Sequence, residues 1–305
     1  MKFHHAIQSF YHRCIAINVA NATLRNYRSF FSGFNKYLTK FEVENLEQID
    51  RQLIRNYFVY LRQNDLSPIT VQDRFRILRT FFNYHVSEGN IIISPLEGVV
   101  KPRIPKVHAR TFNNEEIKAI LTYFPLDDFL GYRNYTIMCI LYSTGIRMNE
   151  LLNLTVFDVR MDIDTMTVLG KGSKERILPI SRILKKVLGK YLREREIYTR
   201  NTKYTTPYLI INRNGNKFTQ AGIQVIFNQL KDNLGFPRKR LSSHTWRHTF
   251  AKNFLLNGGN VFALQKLLGH EDIETTRIYV EYTEKEMKIQ NDNFNPLDNN
   301  RWQYY

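Results

Sequence analysis

Apolar positions recur at helical spacing through the first third of the chain. Leu24, Tyr27, Phe31, Phe34 and Leu38 fall three and four residues apart, which predicts one helix with a single buried stripe. Asn21 stands where an N-cap side chain would accept from the first free backbone N–H groups. A second stripe runs through Ile54, Tyr57 and Leu61. Ser67-Pro68 opens a third helix, since proline suits the first turn, and that helix continues through Ile77, Phe81 and Tyr84 to stop near Gly89. Arg74 and Arg79 lie on its other side, where solvent or a phosphate can face them. The pattern breaks at KPRIPKVHAR, residues 101–110: Pro102 and Pro105 forbid a regular helix, and four basic residues make the stretch a cationic, extended linker.

Beyond the linker the periodicity is mixed. Residues 115–124 and 131–143 are expected to be helical. Thr165–Val168 and Arg176–Ile180 alternate as short strands around Gly170-Lys171-Gly172-Ser173, a hairpin signal. Tyr208–Ile211, followed by Asn214-Gly215, predicts another strand and turn, and helices return from Gln220. The segment LSSHTWRHTFAKNFLLNGG has a cap at Ser242 or Ser243, a buried side of Phe250, Phe254 and Leu255, and an end at Gly258-Gly259. The next helix runs from Asn260 through Leu264 and Leu268 to Gly269, with His270 directly after it; Asp272 can then cap a short helix that carries Tyr279.

Composition narrows the classes. The 305 residues are 43% apolar and 24% charged, enough to bury a core in about two domains. Cys14 and Cys139 are far apart, which excludes a disulfide framework and a cysteine zinc site and points to a reducing compartment. No apolar run is long enough for a spanning helix, and the N-terminus carries no secretory signal pattern, so a cytoplasmic chain with no membrane partner is expected. Charge is the first positive clue: 44 Lys and Arg oppose 28 Asp and Glu, a net of +16. Such an excess is the electrostatic footprint of a nucleic-acid binder. It is spread over the chain, with +4 in residues 1–100 and the rest beyond.

Candidate chemistry follows by subtraction. There is no G-x-x-x-x-G-K-S/T phosphate loop, no His-Glu-x-x-His, and no ligand set at metal spacing, so neither a nucleotide cofactor nor a metal is expected. What remains is cationic. His244 and Arg247, at i and i+3, face one way on a helix. Fixed cations around a tyrosine hydroxyl favour its phenolate, a competent nucleophile, and would neutralise charge developing on a phosphoryl group. Guanidinium forks suit that work because each grips two phosphate oxygens.

Four blocks in order, TGIRMNELLNL, LGKGSKERILPI, HTWRHTFA and LLGHEDIETTRIY, resemble the tyrosine recombinase (phage integrase) family, most closely its Xer-like members. The match covers about residues 110–290, with a looser helical match over 1–100. The resemblance implies a mainly α fold with a small β-sheet: a helical core-binding domain at 1–100, the linker at 101–110, a mixed α/β catalytic domain at 111–290, and a tail at 291–305 that contacts a neighbouring protomer. It implies a site-specific recombinase that joins DNA through a 3′-phosphotyrosyl intermediate. By motif position Arg147, Lys171, His244, Arg247 and His270 are its catalytic set and Tyr279 its nucleophile. Lys174 competes for the lysine role and Tyr282 for the nucleophile, while His248 would support structure. Met148 and Asn149 depart from the family's usual residues at positions expected not to touch chemistry. Double-stranded DNA, three further copies of the chain in a tetramer, and accessory DNA-bending proteins are the implied partners, in the nucleoid. The cofactor expectation stays none, because one phosphodiester is exchanged for another. A type IB topoisomerase and a non-catalytic architectural DNA binder are the alternative functions.

Overall fold

The computed structural model describes residues 1–105, 110–170, 174–200, 206–236 and 241–269, with Lys288 and Asn291. The chain forms two compact units, Met1–Val107 and His108–Tyr305.

Among the described residues the first unit has four α-helices, α1 (Phe3–Ala16), α2 (Asn21–Thr39), α3 (Arg51–Gln63) and α4 (Pro68–Ser87), with a single 3-10 turn at Leu46–Gln48. Their starts are local chemistry. Asp50 accepts from the Leu53 N–H to cap α3, and Ser67 accepts from Thr70 N–H to cap α4, with Pro68 in its first turn. The expected cap at Asn21 is not one: Asn21 is already the first helical residue, and Ala20 holds the cap position with no side-chain bond. The helix α1 was not singled out in the sequence, although Phe3, Ala6, Phe10 and Cys14, three and four residues apart, form its buried stripe. The core is largely aromatic. Phe31 and Phe81 have ring centroids 4.8 Å apart, and Phe10 and Phe81 5.4 Å, within the range of favourable edge and tilted pairs. One polar side chain sits fully inside it. His85 Nε2 donates to the Ala6 carbonyl at 3.2 Å, which ties α4 to α1, and its Nδ1 accepts from Asn90 Nδ2 at 3.1 Å. Arg74 lies over the Phe30 ring at 5.2 Å, so it covers the core edge while Arg79 stays exposed.

The second unit contains α5 (Asn114–Thr122), α6 (Phe129–Thr144), α7 (Met148–Asn153), β1 (Val159–Arg160), β2 (Thr165–Leu169), β3 (Glu175–Pro179), α8 (Arg182–Arg200), α9 (Gln220–Leu234), α10 (Ser243–Leu256) and α11 (Val261–Leu268). The three strands form one antiparallel sheet in the order β1-β2-β3. In the hairpin Thr165 pairs with Pro179 and Leu169 with Glu175, so Met166, Val168 and Leu178 point into the core. The hairpin residues Lys171, Gly172 and Ser173 lie outside the described residues. The helix α8 was not anticipated, although Leu184, Val187, Leu188 and Tyr191 form its buried stripe.

Tyr208–Ile211 is not a strand of the sheet. Among the described residues it makes only single bridges, Thr155 to Tyr208 and Ile211 to Lys217. Side chains take three of its carbonyls instead: Arg195 donates to Tyr208 and Leu209, and Arg133 to Ile211, while the Ile210 carbonyl accepts from the Phe218 N–H. The turn after it does form, with Asn212 N–H bonded to the Asn216 carbonyl and Gly215 at φ +83°.

No helix among the described residues is long and apolar enough to cross a membrane. Cys14 and Cys139 are both free thiols.

Candidate DNA-cleavage site

Three short stretches of the second unit meet at the end of α11. That helix ends on Gly269, whose φ of +63° is the left-handed conformation that lets the chain turn away. The last carbonyls of any helix lack partners within it and carry the negative end of its dipole. Here three arginines take three consecutive ones. Arg176 Nε donates to the Leu267 carbonyl at 2.9 Å, Arg247 Nη2 to Leu268 at 2.6 Å, and Arg147 Nη2 to Gly269 at 3.3 Å. The residue that follows is His270.

Each arginine is held from behind as well. Arg147 occupies the N-cap position of α7, its own N–H donating to Glu150 Oε2 at 2.9 Å while its Nη1 donates to Oε1 at 2.9 Å. Arg176 grips the same carboxylate with both terminal nitrogens, at 2.9 and 2.7 Å. Burial alone would raise the Glu150 carboxyl. The hydrogen bonds from Arg176 and from the Arg147 N–H, with the charge of Arg176, outweigh that and hold it below the usual carboxylate range. Arg247 is almost fully buried and donates from Nη1 to the Gly145 carbonyl at 2.8 Å. Gly145 ends α6 at φ +60°, and a Cβ there would stand 2.4 Å from the Phe250 ring. A glycine is therefore required for α6, α10 and α11 to approach so closely. Two guanidinium groups thus hold one carboxylate, the third, Arg247, is fastened by backbone carbonyls, and a surplus of positive charge remains.

A cavity of about 850 Å³ opens onto this cluster. Arg147, Glu150, Gly170, His244 and Arg247 all line it. The structure therefore brings together Arg147, His244 and Arg247. Ser242 caps α10 by accepting from Thr245 N–H, which places His244 in the first turn and Arg247 one turn on. Although both reach the cavity, His244 is exposed and Arg247 is not. Arg147 keeps 40% of its side chain exposed. The expected buried side of α10 holds for Phe250 and Leu255, while Phe254 is only partly covered; Trp246, Arg247 and Thr249 are buried too. His248 sits beside the pair, and burial, then the charges of His244 and Arg247, push its imidazole below its ordinary value.

Lys171, His270, Tyr279 and the alternative Tyr282 lie outside the described residues. Lys174 lies within them, and its carbonyl closes the hairpin by accepting from Gly170 N–H at 2.8 Å. Two residues that build the site carried no assigned role in the sequence: Glu150 and Arg176. The signal for Glu150 was its i+3 spacing from Arg147, the geometry of a capping box. Asn149, expected to be idle, lines the cavity. No group of three His, Cys, Asp or Glu suited to a metal occurs among the described residues.

Comparison with known proteins agrees over nearly the whole chain. Residues 110–286 match the phage integrase family, and residues 2–104 match the phage integrase SAM-like domain. Tyrosine recombinase XerC of Staphylococcus epidermidis is 31% identical over 272 residues, 89% of this chain and 90% of the relative. Tyrosine recombinase XerD of Listeria monocytogenes is 31% identical over 293 residues, 95% of this chain and 98% of the relative. Among solved structures, XerH site-specific recombinase bound to palindromic difH substrate, a post-cleavage complex, has a TM-score of 0.72 at 24% identity, covering 90% of this chain and 80% of that one. A lambda integrase dimer bound to a COC′ core site has a TM-score of 0.72 at 17% identity, covering 93% and 98%. At such identities these two structures share the fold.

Proposed function

Because the chain belongs to the phage integrase family of tyrosine recombinases, we propose that it cuts and rejoins duplex DNA at a specific site through a 3′-phosphotyrosyl intermediate formed on Tyr279. The observation that carries this is the cavity in which Arg147 and Arg247, from α7 and α10, stand with His244 around the end of α11. A phosphodiester held there would meet two guanidinium groups already fixed in place. Their contacts to the non-bridging oxygens would strengthen as the phosphorus gains its fifth ligand, which is where catalysis requires them.

The Tyr279 oxygen attacks phosphorus, and the 5′-oxygen leaves. Lys171, on the hairpin, donates the proton that makes it a hydroxyl. His244 takes the tyrosine proton as general base. His270, next in sequence after the stapled carbonyls, bonds a phosphate oxygen. Glu150 neither meets the phosphate nor moves a proton: it fixes Arg147 and Arg176. A 5′-hydroxyl of a partner duplex reverses the attack, so bond number is conserved and no energy cofactor enters. Exchange between two duplexes requires four active sites, hence four copies on DNA, with residues 291–305 reaching a neighbour. The first unit grips the same duplex, accessory DNA-bending proteins assist assembly, and the chain works in the nucleoid.

The test uses DNA captured covalently by the chain in its host cell and sequenced. A nicked duplex carrying the shared site becomes attached to the wild type and not to Tyr279→Phe. Equal attachment of both moves the nucleophile to Tyr282, and tight binding without attachment of either contradicts strand transfer.

A further inference from the structure

The helix α10 has two faces. One turns to the cavity with His244 and Arg247, and the other is buried and carries Thr245, Trp246 and Thr249. We propose that Thr249 is a positioning residue for strand cleavage: its hydroxyl bonds the backbone of Phe112 to the first turn of α10 and so sets where His244 stands. This role rests on the phosphotyrosyl chemistry proposed above and adds to it a residue from the buried side of the helix.

That side is tied by a ladder of hydroxyl groups. Phe112, two residues past the basic linker, donates its N–H to Thr249 Oγ1 at 2.9 Å. Thr249 Oγ1 donates in turn to the Thr245 carbonyl at 2.8 Å. The Thr245 hydroxyl lies 3.0 Å from Ser242 Oγ, and Ser242 Oγ accepts from the Thr245 N–H at 3.1 Å. His244 stands between Ser242 and Thr245, inside the turn that these bonds fasten.

Helix formation and packing do not call for this arrangement. Thr249 is fully enclosed, and Thr245 and Phe112 are nearly so. A threonine that bonds back to its i−4 carbonyl tends to weaken and bend its helix, and alanine would serve the helix better. Trp246, on the same face, supplies bulk without direction. Its ring centroid is 4.8 Å from that of Phe112 and 5.8 Å from that of Tyr142, and its Nε1 has no hydrogen-bond partner among the described residues. Rings that meet by shape can slide past one another, whereas a hydrogen bond fixes a distance and an angle.

The two cavity side chains depend on this face unequally. Arg247 is fastened through its own guanidinium, to the Gly145 and Leu268 carbonyls. His244 is exposed, so its ring follows the backbone turn that carries it. A general base must lie within hydrogen-bond reach of the proton it takes, and a shift of about 1 Å arising away from the chemistry can cost about 100-fold. Loosening the ladder should therefore impair proton transfer by His244 and spare the phosphate grip of Arg247.

The test measures single-turnover attachment of the nicked duplex that carries the shared site. It uses the full-length wild type, Thr249→Val and Thr249→Ser, each also in a His244→Ala background. Valine keeps the shape of threonine without the hydroxyl, and serine keeps the hydroxyl. Thr249→Val should attach about 10- to 100-fold more slowly, with its affinity for intact duplex within about twofold of the wild type. Thr249→Ser should recover most of the rate. In the His244→Ala background the penalty of Thr249→Val should fall to about twofold or less, because the group it positions is gone. An equal penalty in both backgrounds, or a serine variant as slow as the valine one, would make Thr249 a packing residue and overturn the role. Thr245→Val removes one rung and leaves Phe112 bonded. It should show the same cycle with a smaller penalty, and it decides the question if Thr249→Val does not fold. Attachment by the wild type with no loss in the variants removes only the role of Thr249; absence of attachment by the wild type removes the recombinase mechanism and the role with it.

Discussion

The two units bury different things. The first is packed around aromatic rings, and its fully enclosed polar side chain, His85, is neutral and bonded at both ring nitrogens. The second buries Arg133, Glu150, Arg195 and Arg247 as well as its apolar core. Charges taken out of water cost several kcal/mol each unless carboxylates and carbonyls surround them, and an apolar core of the same shape is often at least as stable. The difference teaches where to look for chemistry. Arg133 and Arg195 hold loop carbonyls, which explains them as structure. The cluster of Arg147, Glu150, Arg176 and Arg247 does more, because it opens to a cavity and keeps a positive surplus there.

Removing the shared carboxylate breaks that contrast most directly. Glu150→Ala leaves Arg147 and Arg176 facing each other without compensation, and we expect the second unit to lose about 3–5 kcal/mol, as when one partner of a buried ion pair is deleted. Chemical denaturation of the full chain measures it. A loss below about 1 kcal/mol would mean that the arginines are held by the α11 carbonyls alone.

Acid sharpens the comparison with a smaller effect. Burial pushes the His85 imidazole below its ordinary value, partly offset by its bond to the Ala6 carbonyl. The folded form therefore binds its proton less readily than the unfolded one. The resulting stability is complete above pH about 6.5 and is lost as pH falls through the lower, folded value. Hydrogen exchange of the α1 and α4 amides in the full chain should accelerate between pH 7 and 5. The partly buried His248 adds a loss of the same sign in the second unit, so amides of α1 and α4 are the ones to follow. Unchanged protection there, after correction for intrinsic exchange, would show that His85 opens to water without cost.

Features set by neighbouring residues were legible in the chain itself. Ser67-Pro68, Ser242, Asn260 and Gly269 each begin or end a helix through contacts within four residues, and all four do so in the fold. Features set by distant partners were not. Tyr208–Ile211 has a strand's composition, yet Arg195 takes the carbonyls that a neighbouring strand would have used. The helix α8 carries a clear stripe, diluted by the charges among which it lies. At the site, Arg147, His244 and Arg247 stood out by motif, while Glu150 and Arg176 did not. An acid three residues from an arginine looks like any surface pair until Arg176, 26 residues further on, closes over it.

We propose that Arg147 faces the charge of the phosphate being cut. Attachment to the nicked site should slow about 100- to 1000-fold in Arg147→Ala, the range for loss of one preorganised donor. Replacing that single phosphate by an uncharged methylphosphonate removes what the guanidinium neutralises. The penalty of Arg147→Ala should then shrink at least about tenfold. A penalty of the same size on the neutral linkage would contradict it, and would leave Arg147 as a fastening for the end of α11.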